Sequence, residues 1–287
     1  MITISGAAGK TGRALVRALV GRGEAVRALV RREAQGEALL ALGACEYLVG
    51  DQMDPTAWRA ALKGANAVYL ICPNMHPDET DIVGMALTAA KAAGTSRLVY
   101  HSVLHPQVEA MPHHWAKLRA EELIFAGGLP FTILQPCAYM QNLLGYWESI
   151  TRDGIYPVPY NLAARISLVD LDDVAEVAAR ALTEEGHCGA IYELAGPRAL
   201  DQTEVAAELS RALGRTVLAR ELDREQWREN ARKDGLDGYA LETLLKMFMY
   251  YDRYGLIGNP RVCGWLLGRS PRDLRDYLGS VRTERRE

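Results

Sequence analysis

The chain lacks any run of about 18 apolar residues, the length a helix needs to cross a membrane, so no membrane span is predicted. It has no C-x-x-C pair, and its five cysteines, Cys45, Cys72, Cys137, Cys188 and Cys263, are odd in number and far apart. That pattern argues against a disulfide framework and points to free thiols in a reducing, cytoplasmic setting. Positive charge is not in excess: 33 Lys and Arg stand against 36 Asp and Glu, a net charge of −3. A nucleic-acid footprint needs a basic face, so no nucleic-acid partner is expected. Internal repeats and low-complexity linkers are missing too. A strand pattern begins at once, which leaves no expected room for a signal or transit peptide. The 287 residues suffice for one large α/β domain or two unequal lobes.

What is present begins with ISGAAGKTGRAL, residues 2–13. Gly9-Lys10-Thr11 could end a P-loop, but the first glycine of that motif would fall on Ile4, inside a strand. The rival spacing, G-x-x-G-x-x-G at Gly6, Gly9 and Gly12, fits a dinucleotide loop. MITIS reads as the strand. Gly6 makes the tight turn, Gly9 admits a pyrophosphate, and Gly12 lets the next helix pack closely on the sheet. That helix is marked by Leu15, Val16, Leu19 and Val20 at helical spacing, and its N-terminus points at the phosphates.

Strand and helix patterns then alternate. Strands are predicted at 24–30, 45–50, 66–71, 97–103 and 130–134, with helices near 33–42, 55–62, 79–93 and 114–126 between them. Such alternation with short apolar strands predicts an α/β fold, a Rossmann-type doubly wound parallel sheet with a smaller, mostly helical C-terminal lobe. Residues 163–182 read as another strand and helix with Asp172 as N-cap, and 190–197 as a further strand. The sheet domain is therefore assigned to residues 1–134 plus about 163–197, and the lobe to about 135–162 and 198–287. SVRTERRE at the end reads as a frayed tail. In 241–256, Leu244, Met247, Phe248 and Tyr251 form one stripe, read first as a core face.

The second strand ends in Arg31-Arg32, with no carboxylate before Glu33. An acidic residue there would bind the ribose 2′-hydroxyl of NAD, whereas arginine suits the 2′-phosphate of NADP. NADP(H) is the expected cofactor, with Arg31 foremost and Arg32 or Lys10 assisting. Asp51, after the third strand, stands either near the adenine edge or as a helix cap. Short-chain dehydrogenases use Ser, Tyr and Lys, the last two spaced Tyr-x-x-x-Lys on one helical face. Ser102 and Lys117 stand where that pattern needs them, but His113 replaces the tyrosine. A histidine can carry a proton near neutrality, and a plain helix-start role for His113 is the equal alternative. His101, His105, His113 and His114 cluster in sequence, yet their spacing and lack of a carboxylate or thiol partner argue for no metal.

GAAGKTG, LVRR, HSVLHPQVEAMPHHWAKLRAEELI (101–124), QPCAYMQNLL (135–144) and SLVDLDDVAEVAARAL (167–182) together resemble the NmrA-like branch of atypical short-chain dehydrogenases, to about residue 200. The resemblance implies NADP(H) held by Gly6, Ala8, Gly9, Lys10, Thr11, Gly12 and Arg31, with Cys72, Pro73 and Pro136 also on the cofactor. It implies a substrate cleft that Tyr139, Asn142 and His114 help to line. Members include quinone and dye reductases and redox-sensing regulators. The leading expectation is NADP(H)-dependent reduction of a small aromatic or carbonyl compound such as a quinone. A cofactor-sensing regulator with a protein partner is the second, and an epimerase-like enzyme the third. Whether the chain forms a homodimer stays open.

Overall fold

A computed structural model describes residues 1–236 and 238–284. In chain order it gives β1 (Ile2–Ile4), α1 (Lys10–Val20), β2 (Val26–Val30), α2 (Glu33–Leu40), β3 (Glu46–Val49), α3 (Pro55–Leu62), β4 (Ala67–Leu70), α4 (Glu79–Ala93), β5 (Arg97–His101), α5 (Pro112–Ala126) and β6 (Phe131–Pro136). Then come β7 (Ala138–Tyr139), a 3₁₀ helix (Met140–Tyr146), a π turn (Ser149–Asp153), β8 (Ile155–Val158), β9 (Ile166–Val169), α6 (Leu171–Thr183), β10 (Ala190–Leu194) and β11 (Ala199–Leu200). The chain continues through α7 (Gln202–Leu213), β12 (Leu218–Glu221), α8 (Arg224–Lys233), α9 (Gly238–Tyr254), α10 (Pro260–Leu267) and α11 (Leu274–Glu284).

Two compact units result: Met1–Gln107, His113–Gln135 and Val174–Tyr192 form the first, and Val108–Pro112, Pro136–Asp173 and Glu193–Glu287 the second. The first holds a seven-stranded sheet in the order β10-β6-β5-β4-β1-β2-β3. From β3 to β6 every neighbouring pair is parallel. The order reverses between β1 and β4, so the carboxyl ends of β1, β4 and β5 share one edge beside the switch point, where such sheets bind ligands. β4 is buried at every position, as a parallel strand covered on both faces must be, while the edge strand β3 is half exposed. Trp58 and Leu62 of α3, Ile82 and Val83 of α4 and Ile124 of α5 pack on Val68, Leu70 and Leu98. Each such side chain contributes about 1.5–3 kcal/mol by leaving water.

The second unit has its own core of Met140, Leu143, Tyr156, Leu200, Val205, Leu209 and Leu278. Its sheets are β11-β9-β7 and β12-β8. Here the structure differs from the sequence reading. β9 pairs with β7 and β11 rather than extending the large sheet, so residues 163–173 sit in the second unit. Strand rhythm alone does not reveal pairing. Asp172 is not the N-cap of α6: the helix starts at Leu171, and Asp170 Oδ1 accepts from the Asp172 amide at 3.0 Å. Met247, Phe248 and Tyr251 of α9 are buried, with Tyr160 against both aromatic rings. Residues 280–284 continue α11 instead of fraying, and the rest of the tail, Arg285–Glu287, lies outside the described residues.

Candidate functional site

The glycine loop is shaped by backbone packing. Gly6 turns the chain with φ +60°, a conformation a Cβ resists. A Cβ on Gly12 would fall 2.5 Å from both the Ala7 Cα and the Gly6 carbonyl oxygen, so no side chain fits. Ser5 Oγ accepts from the Ile71 amide at 2.9 Å and donates to its carbonyl at 3.0 Å, tying the end of β1 to the end of β4. Helix α1 starts at Lys10 with Gly9 as N-cap and no side-chain cap. Its first N–H groups and its dipole thus face the space beyond Gly6, Ala8 and Thr11, a ready anion site.

Arg31 and Arg32 are exposed at the end of β2. The nearest carboxylate is engaged: Tyr47 Oη donates to Glu33 at 2.6 Å. Gly36 makes room for this contact, because a Cβ there would fall 2.3 Å from the Tyr47 ring. Asp51 accepts from the Met53 amide at 2.8 Å, and it is Asp54 that caps α3. Beyond β4, Cys72 is buried and Pro73 half-buried. Burial beside Glu79 pushes the Cys72 thiol well above its usual range, so it stays protonated.

A polar cluster lies at the end of β5. Lys117 is only 4% exposed, and its Nζ meets Glu79 Oε1 at 2.7 Å and donates to the His101 carbonyl at 2.8 Å. Tyr100 Oη donates to the same Glu79 oxygen at 2.7 Å, and its ring centre lies 5.0 Å from Nζ. Ser102 Oγ donates to Glu121 Oε1. Gln135 Nε2 donates to both Glu121 oxygens, at 2.9 and 3.1 Å. His113, Lys117 and Glu121 recur every four residues along α5 and so share a face.

The histidines do not converge on a common ligand. His101 Nδ1 lies 2.6 Å from Tyr69 Oη, and burial holds its pKa down at about 3. His114 is fully enclosed, its Nδ1 is 3.3 Å from the His105 carbonyl, and burial lowers it to about 4. Its ring is enclosed by protein on the side of the His105 loop. His113 is buried, its Nδ1 has no partner, and desolvation drives its pKa well below the usual value. Burial thus disfavours the charged imidazolium that a proton donor at His113 would use. His105 is one of two non-glycine residues with positive φ among those described, at 54°; the other is Met75, at 52°. Both lie in the loops that follow β4 and β5, and such strain persists only where the surroundings enforce it.

In the second unit, Pro136 ends β6, Tyr139 lies on β7 and Asn142 on the 3₁₀ helix. That helix is anchored by Gln141, which donates to Asp170 at 2.7 Å, while Asp170 pairs with Arg272 at 2.8 Å. Glu79, Tyr100, Glu121 and Gln135 were missed from sequence. Only Glu121 carried a signal there, through its four-residue spacing from Lys117.

The sequence model of the NmrA-like family matches residues 1–278. NAD(P)H azoreductase of Xenophilus azovorans is 35% identical over 222 residues, 76% of this chain and 75% of its own. Quinone oxidoreductase 2 of Escherichia coli is 27% identical over 98% of both chains. The structure of the E. coli NADPH-dependent quinone oxidoreductase complexed with NADPH superposes with a TM-score of 0.85 at 26% identity, over 98% of this chain and 100% of that one. Triphenylmethane reductase of Citrobacter sp., complexed with NADP(H), shares the fold with a TM-score of 0.84 at 22% identity, over 98% and 99%. With its glycine loop, its sheet order and a family match over nearly its whole length, the chain belongs to the NmrA-like family.

Proposed function

We propose that this protein is an NADPH-dependent reductase that delivers a hydride to a small, flat aromatic acceptor, quinones foremost. The observation that carries the cofactor assignment is the end of β2, where Arg31 and Arg32 are exposed and Glu33 is turned onto Tyr47. The residues suit the cofactor: no Cβ fits at Gly12, and the α1 N-terminus has no side-chain cap. Relatives named as a quinone oxidoreductase and an azoreductase support the acceptor class.

When bound, NADPH supplies the hydride. The loop from Gly6 to Gly12 would hold the pyrophosphate on backbone N–H groups, and Arg31, with Arg32 and Lys10 assisting, would take the 2′-phosphate. Asp51 would serve the adenine, and Cys72 and Pro73 the nicotinamide side. Two of the three ammonium donors of Lys117 are occupied by Glu79 and the His101 carbonyl, leaving one to orient the nicotinamide ribose. Lys117 is thus a fixed anchor, and positioning does much of the work.

The test is a titration with NADPH and NADH followed by a panel of quinones, azo compounds and triphenylmethane dyes. Tight NADPH binding with NADPH consumed one for one with acceptor is expected. Tight binding with no acceptor reduced would contradict the reading and favour a cofactor-sensing role.

A further inference from the structure

A reduced acceptor that carries new negative charge needs a proton, and three groups near Lys117 are candidates. His113 is buried, and desolvation disfavours its charged form. Lys117 is claimed by Glu79, and giving up its proton would leave that fully enclosed carboxylate without a cation. Glu121 remains. It is 2% exposed and, among the described residues, has no lysine or arginine within ion-pair distance. Its ties are a hydrogen bond shared with Ser102 Oγ and the Gln135 amide on both oxygens. When the carboxyl is protonated, its O–H donates to Ser102 Oγ and the Ser102 hydrogen turns outward; when it is ionised, Ser102 donates to it. Burial raises its pKa above the ordinary value, against the opposing pull of those donors and of Lys117. Ser102 follows directly on β5, at the sheet edge beside the switch point.

We infer that Glu121 is the proton reservoir of this site and that Ser102 passes its proton to the acceptor. The inference rests on the reductase reading. The acceptor takes two electrons with the hydride, which NADPH gives up in becoming NADP⁺. The anion formed on the acceptor's oxygen or nitrogen takes the Ser102 hydroxyl proton as that O–H bond breaks. A new O–H bond forms on Ser102 as the Glu121 carboxyl releases its proton. Glu121 is left as a carboxylate, held by Ser102 and Gln135, and is reprotonated from solvent. Gln135, with its amide on both oxygens, is a positioning residue. The relay stands in for the absent tyrosine. A cationic acceptor behaves differently: hydride alone makes it neutral, and no proton is required.

The experiment compares turnover of a neutral quinone or azo compound with that of a cationic triphenylmethane dye in wild type, Glu121→Gln, Glu121→Asp and Ser102→Ala. The neutral-to-cationic ratio should fall about 10²-fold or more in Glu121→Gln and Ser102→Ala, the usual size of a lost general acid. Glu121→Asp should recover part of it. Neutral-acceptor turnover in wild type should fall at alkaline pH as Glu121 ionises, and this limb should vanish in Glu121→Gln. Without cofactor, an infrared pH titration should show a protonated carboxyl titrating above the ordinary carboxylate range, lost in Glu121→Gln. A ratio that stays constant, or an equal loss with both acceptors, overturns the relay. So does a wild-type carboxyl that titrates in the ordinary range. NADPH left unoxidised by wild type with every acceptor overturns the reductase reading, and the relay with it.

Discussion

Replacing Glu79 by Gln removes the charge that compensates Lys117 and keeps the shape of the side chain. The pair is enclosed, with 5% and 0% of the two side chains exposed and 2.7 Å between Nζ and Oε1. At an effective dielectric near 20, the attraction at that distance is about 6 kcal/mol. Desolvation of both ions offsets much of it, so the pair adds little net stability over well-packed apolar residues. Breaking it is another matter, because Lys117 would stay buried with, among the described residues, the His101 carbonyl and the Tyr100 face as its remaining partners. Glu79→Gln and Lys117→Met should therefore each cost about 3–5 kcal/mol. The double variant should cost less than the sum by about 3 kcal/mol, because neither ion is left alone. Urea unfolding of all four proteins, followed by both fluorescence and circular dichroism, gives the cycle. Additive losses would refute the argument that these two residues form one electrostatic unit.

The buried histidines give a pH dependence with a definite sign. Their folded pKa values lie below the unfolded value of about 6.5, at about 4 for His114 and about 3 for His101. The unfolded chain therefore binds more protons, and stability falls as pH drops from about 6.5 toward those values. Between pH 7 and 5 the loss is about 2 kcal/mol per histidine, so His114→Leu should flatten the unfolding-energy profile by about that amount. Gly12→Ala should weaken NADPH binding about ten- to a hundredfold in a calorimetric titration, since overpacking costs about 1–3 kcal/mol and here the clash is with loop backbone. Arg31→Ala should weaken NADPH about tenfold or more and NADH only slightly, as a lost charged hydrogen bond of about 1.5–3 kcal/mol implies. Equal losses for both cofactors would remove Arg31 from the 2′-phosphate.

Features set by local rules were legible in the sequence. Gly6, Gly9 and Gly12 stand between a strand and an apolar helical stripe, and the structure gives each a backbone reason. The strands of the large sheet appeared as short apolar runs, because β4 and its neighbours are buried on both faces. Features set by tertiary closeness were not legible. Glu79 opens α4 and looks like any first-turn acid until the fold brings it onto Lys117. Among the acids of LVDLDDV, Asp170 caps α6, and only the exact helix start distinguishes it from Asp172. β9 has the same apolar rhythm as the strands of the large sheet, and its pairing with β7 and β11 appears only in three dimensions. His113 holds the position of a proton donor in sequence, and only the fold shows that it is buried, where desolvation disfavours its charged form.

The central claim is hydride delivery from NADPH to an aromatic acceptor, and single-turnover mixing tests it most directly. The preformed complex with NADPH is mixed anaerobically with a quinone, and loss of reduced nicotinamide absorbance is followed beside appearance of hydroquinone. The account predicts that both change together at one rate, in one-to-one amounts. A complex that forms tightly and keeps its cofactor reduced with every acceptor would contradict it.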